Sequence, residues 1–214
     1  LLAAIMFTDI VGYSALMSKD ERVALRILNK NRTIQKAALG RFNGEFIKEI
    51  GDGTLSIFQS SWDAVSCAIE IQNALSEIPD FRLRIGIHQG DIVFSEKDVF
   101  GDGVNIASRI QTLCEPGGIL ISETVYNDIR NKTGIMTDCL GERALKNIDK
   151  PVIVYAINSG CFKSLSEQRS DNSSQSFDTV EVIHKPKRKL IILLSGLLVV
   201  IAVILGLYLF EILG

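Results

Sequence analysis

The stretch FIKEIGDGTLSIF, Phe46 to Phe58, restricts the fold of this chain more than any other. Gly51-Asp52-Gly53 separates two short apolar runs, Phe46 to Ile50 and Leu55 to Phe58, in the pattern of a tight β-hairpin. Helical repeats flank it on both sides. Apolar residues recur at Val23, Ile27, Ile34 and Ala38 between Asp20 and Phe42, and Val65, Ala68, Ile69 and Leu75 share one stripe between Trp62 and Ile78. Beyond these helices lie a buried-strand pattern, Ala3 to Phe7, ending at Asp9, and RLRIGIHQG from Arg82, which alternates as a half-buried strand does. The order β-α-β-β-α-β predicts an α+β fold of the ferredoxin-like, split βαβ type, with antiparallel strands and helices on one face. A helix from Gly103, a strand GILIS, a helix near Thr124 to Arg130 and a strand VIVYAI complete a domain over 1–158.

The C-terminal fifth is of another kind. Leu190 to Phe210 is a run of 21 uncharged residues, which as a helix spans roughly 30 Å, the thickness of bilayer hydrocarbon. A domain this small has no interior that covers such a helix on all sides, so one transmembrane helix is expected over 190–210. KPKRK, Lys185 to Lys189, stands before it, and the positive-inside rule then puts the preceding domain in the cytoplasm, anchored to the cell's inner (plasma) membrane. Residues 159–189, rich in Ser and then in basic residues, are expected to form a flexible juxtamembrane linker. Because the chain opens at Leu1 on a strand pattern, it reads as a piece of something longer. The four cysteines are far apart, with no C-x-x-C pairing, which argues against a zinc site or a disulfide framework and fits a reducing compartment. Up to Gly160 there are 17 Lys and Arg against 20 Asp and Glu, without a basic cluster, so no nucleic-acid partner is expected.

Two acidic residues stand at telling places. Asp9 ends the first strand and Asp52 sits at the hairpin tip; if the first and second strands lie near the sheet centre, the two carboxylates converge. Such a pair is costly unless a cation sits between them. Taken singly, Asp52 is also an ordinary turn residue and Asp9 could cap the next helix. With Gly12, which lets backbone approach a phosphate, the combination favours a hard metal holding a nucleotide. Alternation puts Lys48 on the face of Phe46 and Ile50, where it needs a partner or snorkels from a sheet edge. Asn105 and Arg109, four apart, share a helix face beside the apolar stripe Ile106, Ile110 and Leu113, and a solvated face accounts for them equally well. Asp98 alone is an acidic loop residue.

The ordered set FTDIVGYS, KEIGDG, DVFGDGVNIASRI and EPGGILIS resembles the catalytic domain of class III nucleotidyl cyclases over essentially all of residues 1–158. The resemblance implies the palm-type cyclase core and an adenylate cyclase, a phosphorus-oxygen lyase that makes 3′,5′-cyclic AMP and pyrophosphate from ATP. It implies that Asp9 and Asp52 bind two divalent metals, Mg²⁺ or Mn²⁺, in each site, that Lys48 and Asp98 read the purine, and that Asn105 and Arg109 hold the ribose and the reacting phosphate. Lys146 is the nearest match to a phosphate-binding lysine. It further implies a homodimer with two composite sites, since this chain carries both halves of one. Adenine offers a donor at its amine and an acceptor at N1, which an Asp and a Lys complement, so the pair reads ATP rather than GTP. A catalytically silent, nucleotide-binding or regulatory homologue is the alternative; it would lack a metal Asp, Asn105 or Arg109, and none is missing.

Overall fold

The computed structural model describes residues 1–95 and 98–158. Its elements run β1 (Leu2–Ile10), α1 (Tyr13–Lys19), α2 (Glu21–Arg41), β2 (Glu45–Ile50), β3 (Gly53–Phe58), α3 (Ser61–Ser76), β4 (Leu83–Asp91), β5 (Val93–Ser95), β6 (Asp98–Phe100), α4 (Asp102–Thr112), β7 (Ile119–Ser122), α5 (Glu123–Ile129), β8 (Thr137–Arg143) and β9 (Val152–Ile157). Local chemistry accounts for the boundaries. Asp20 caps α2 by accepting from the Val23 N–H at 3.0 Å, and Ser60 caps α3 by accepting from Trp62. The hairpin closes through Gly51, whose φ of 64° suits a residue without Cβ.

Seven strands form one mixed sheet in the order β2-β3-β1-β4-β7-β9-β8, antiparallel throughout except between β4 and β7. The split βαβ order is present, but β2 lies at the edge rather than beside β1. It is β3 that pairs with β1, with Thr8 opposite Thr54. The tip between β2 and β3 still meets the end of β1, because an antiparallel partner brings its start to its neighbour's finish. Helix α1 and the edge strand β8 were not legible in the apolar pattern: α1 is one short piece and β8 is mostly exposed.

The helices do not all share a face. Ala4, Met6, Ile85 and Ile87 pack on one side with Ile27 and Leu28 of α2 and Val65 and Ile69 of α3. On the other side Ala3, Ile5 and Phe7 pack with Val104 and Ala107 of α4. Strand β4 is therefore buried on both faces rather than half-buried, from Leu83 to His88 with only Arg84 partly open. Helix α4 reaches the sheet because Gly86 has no Cβ, which would run into the Gln111 backbone. Fully burying a side chain such as Ile5, Ile85 or Ile87 stabilises by about 2 kcal/mol each. The exposed pair Lys30–Asp80 is screened by solvent and contributes little, so the two-sided apolar packing holds the fold.

Between β4 and α4 lies His88, 8% exposed, with Nδ1 2.9 Å from the Ser122 hydroxyl. Burial pushes its pKa down to about 4, from an ordinary 6.5. Above pH 6.5 the ring is neutral whether folded or not. As pH falls below that, the unfolded chain takes the proton first, so stability is lost from about pH 6.5 down to about 4 and no further. Denaturant titrations should find an unfolding free energy up to about 3 kcal/mol more acid-sensitive in that window than in His88→Asn. Equal slopes in the two proteins would count against it.

Among the described residues no helix is long and apolar enough to cross a membrane. The expected linker over 159–189 and membrane helix over 190–210 lie outside the described residues.

Candidate active site

Alternation along β1 sends Thr8 toward α2 and Asp9 to the opposite face, at the strand's open end. Asp52 meets it there from the hairpin tip. Burial, and then the charge of Asp9 beside it, push the Asp52 carboxyl above the usual range, against the N–H groups of Asp52 and Ile10, which favour its ionised form. Arg84 of β4, opposite Asp9 in the ladder, donates from Nη2 to Asp9 Oδ2, while its buried Nε has no partner. The two carboxylates offer the hard oxygen donors that Mg²⁺ or Mn²⁺ takes. No group of three or more His, Cys, Asp or Glu that could hold a metal occurs among the described residues. Two carboxylates without a full cage fit an ion whose remaining ligands are water and substrate phosphates. Gly12, at φ 74°, ends the loop between β1 and α1 and leaves its backbone open, with nothing within 4 Å of where a Cβ would stand.

Lys48 is not on the face that alternation predicts. A bulge falls between Phe46 and Lys48, so Phe46 pairs with Ser56 while Lys48 pairs with Leu55. Ile47 and Lys48 both turn to the α4 side of the sheet, away from Phe46. There Lys48 Nζ donates to Asp98 Oδ2 at 2.5 Å, and Asp98 Oδ1 accepts from the Val99 N–H at 2.8 Å. The Lys48 ammonium, followed by that N–H, holds the Asp98 carboxyl below the usual range. With side chains 38% and 29% exposed, the pair is reachable by a ligand.

Asn105 is exposed and Arg109 half-buried on α4, and neither side chain has a hydrogen-bond or ion-pair partner among the described residues. The buried face of this helix is Gly103, Ala107, Ile110 and Gln111; Ile106 is only partly covered, and Leu113 is 43% exposed, so the expected stripe is rotated. Within one chain nothing among the described residues joins Arg109 to Asp9 or Asp52. Lys146 is exposed in the connection between β8 and β9, also without a partner among the described residues. The structure thus forms two assembled pairs, Asp9 with Asp52 and Lys48 with Asp98, and two donors left open on α4. Arg84 was missed from sequence because only strand pairing puts it opposite Asp9.

The model of the adenylate and guanylate cyclase catalytic domain matches residues 2–159. The chain belongs to this family. A Rhizobium meliloti (strain 1021) protein is 38% identical to this cyclase domain over 162 residues, covering 72% of the chain and 28% of that protein. An adenylate cyclase of Anabaena cylindrica is 32% identical over 176 residues, covering 70% and 34%. The chain therefore spans about a third of the length of these curated relatives. In three dimensions it is similar to the crystal structure of an adenylate/guanylate cyclase/hydrolase from Silicibacter pomeroyi, with a TM-score of 0.66 at 35% identity, covering 73% of this chain and 96% of that one. The adenylyl cyclase CyaB from P. aeruginosa, at 22% identity, TM-score 0.65 and coverage of 73% and 93%, shares the fold. The family model shows the cyclase family, and the likeness to solved structures shows the palm-type architecture.

Proposed function

We propose that this cyclase domain converts ATP to 3′,5′-cyclic AMP and pyrophosphate, at sites that two copies of the chain complete for one another. The observation that carries the base preference is the Lys48–Asp98 pair, a donor and an acceptor side by side at 2.5 Å. Adenine N1 accepts and its amine donates, so Lys48 and Asp98 complement it; guanine presents the opposite polarity at both places. The Anabaena cylindrica relative, named an adenylate cyclase, supports the same preference.

Asp9 and Asp52 would hold two divalent ions. When bound, these ions supply activation of the 3′-hydroxyl and neutralisation of the leaving pyrophosphate. Arg84 neutralises Asp9 in the ligand-free chain, which keeps the paired carboxylates tolerable. Asn105 orients the ribose, and Arg109 meets the negative charge that grows on the phosphoryl oxygens, where a guanidinium fixed by a helix favours the transition state over the ground state. Gly12 backbone and Lys146 complete the contacts to phosphate. Because the Asn105 and Arg109 side chains have no partner among the described residues, a second copy facing the carboxylates is the economical arrangement, an isologous dimer with two sites. Residues 190–210 would anchor the domain to the inner membrane through the linker over 159–189, with catalysis on the cytoplasmic side; fractionation of cells expressing the chain tests this.

The purified chain, given Mg²⁺ or Mn²⁺ with ATP or GTP, should form cyclic AMP, with ATP preferred by on the order of 10²-fold. Absence of any cyclic nucleotide would leave a binding or regulatory homologue in its place. Replacing both base readers, Lys48→Glu with Asp98→Cys, should cut ATP turnover by about 10²-fold, since an acceptor then faces N1 and buried groups go unpaired. Parental ATP turnover in that variant would remove the pair from base reading.

A further inference from the structure

The buried stripe of α2 carries two amides where apolar residues would serve. Asn31 is 1% exposed and Gln35 0%, between Ile27 and Leu28 on one side and Ala38 and Leu39 on the other. Gln35 faces Thr8 of β1 and Thr54 of β3, 1% and 2% exposed. Gln35 Nε2 donates to Thr8 Oγ1 at 3.0 Å, the two threonine hydroxyls meet at 2.8 Å, and Thr54 Oγ1 donates to Gln35 Oε1 at 2.7 Å. Thr54 spends its one proton on Gln35, so Thr8 donates to Thr54, and the three bonds close a ring. A further N–H of Gln35 reaches Asn31 Oδ1 at 2.9 Å.

Stability alone does not call for this ring. Met, Leu and two Val residues in place of Gln35, Asn31, Thr8 and Thr54 would fill similar space, and replacing all partners of a hydrogen-bonded set by apolar groups of like shape is close to neutral. What the ring adds is direction, since each bond fixes the next. Its position is specific: Thr8 opposite Thr54 is the last pair of the β1–β3 ladder, Asp9 is the next residue on β1, and Asp52 lies two residues before Thr54. Two like-charged carboxylates drive these strand ends apart. Helix α2 opposes that motion from behind, and it is tied to the neighbouring strand β2 as well, where Arg32 makes two 2.5 Å bonds to Glu49.

We propose that Gln35 is a positioning residue for the metal site: through its ring with Thr8 and Thr54 it fixes the separation and aim of Asp9 and Asp52. The inference rests on the reading of those aspartates as metal ligands. It is tested by Mn²⁺ binding to the full 214-residue chain without nucleotide, followed by electron paramagnetic resonance of the free ion, with thermal melts alongside. The combined variant Thr8→Val, Asn31→Leu, Gln35→Met, Thr54→Val, which removes every member of the network, should melt near the parent yet bind Mn²⁺ about tenfold more weakly, as loss of outer-shell support does elsewhere. Gln35→Met alone should lower the melting temperature by about 5 °C, because it leaves the buried Thr54 proton and Asn31 Oδ1 without partners. Thr54→Ser, which keeps the hydroxyl, should retain parental Mn²⁺ affinity, whereas the closer isostere Thr54→Val should lose it. Parental affinity in the combined variant and in Thr54→Val would overturn the positioning role and leave the metal reading intact. Parental chain that bound Mn²⁺ no better than Asp52→Ala would overturn the metal reading and the inference with it.

Discussion

Asp52→Ala should lose cyclase turnover by about 10³-fold or more while remaining folded, and Asp9→Ala should behave alike. The loss follows from the role of the carboxylates: removing a ligand from a two-metal clamp withdraws several kcal/mol of transition-state stabilisation, and about 4 kcal/mol is already three decades of rate. The retention of fold follows from the geometry. Asp52 packs no core, its carboxyl is raised by burial and by the charge of Asp9, and deleting it relieves that repulsion. The melting temperature of Asp52→Ala should therefore equal or exceed the parent's. Initial rates of cyclic AMP formation and a thermal melt on the same preparation check both halves. Full turnover in either variant would end the two-metal proposal, and an unfolded variant would mean that the carboxylate is structural.

Mixing two dead proteins should restore activity. If the carboxylates of one chain work with Asn105 and Arg109 of another, a dimer of Asp52→Ala with Arg109→Ala has one site damaged twice and one site untouched. Random pairing of equal amounts makes half of the dimers mixed, each with one good site of two, so the mixture should recover about one quarter of parental activity. Each variant alone should stay near background, because all of its sites carry one lesion. The measurement is activity after co-incubation, with mixed dimers verified by differently tagged chains. Verified mixed dimers without activity would put both residues in a single chain's site, although nothing among the described residues joins Arg109 to Asp52 within one chain.

The elements with a strong local signature were legible in the sequence. The GDG hairpin, the two long helices and the helix that follows DVFGDG all obey rules that act over a few neighbours, namely turn chemistry and helical periodicity. The family was legible for a different reason: the ordered motifs, from which the candidate site residues are named, carry a likeness that the match over residues 2–159 bears out. The face occupied by Lys48 was not legible. One extra residue in an edge strand reverses every side chain beyond it, and nothing in FIKEI marks the bulge.

By itself, then, the sequence determined the α+β class, the order of the central elements and the cyclase family, because each depends on local pattern or on motif order. Tertiary structure alone decided that α4 covers the second face of the sheet, which buries β4 on both sides. It also decided that β3 rather than β2 lies beside β1, that Arg84 stands opposite Asp9, and that Gln35 closes a ring with Thr8 and Thr54. These facts share one physical cause. Strand pairing and helix packing join residues 27, 46 and 75 positions apart, and the chain chooses those partners by filling one core, a choice that no short window of sequence contains.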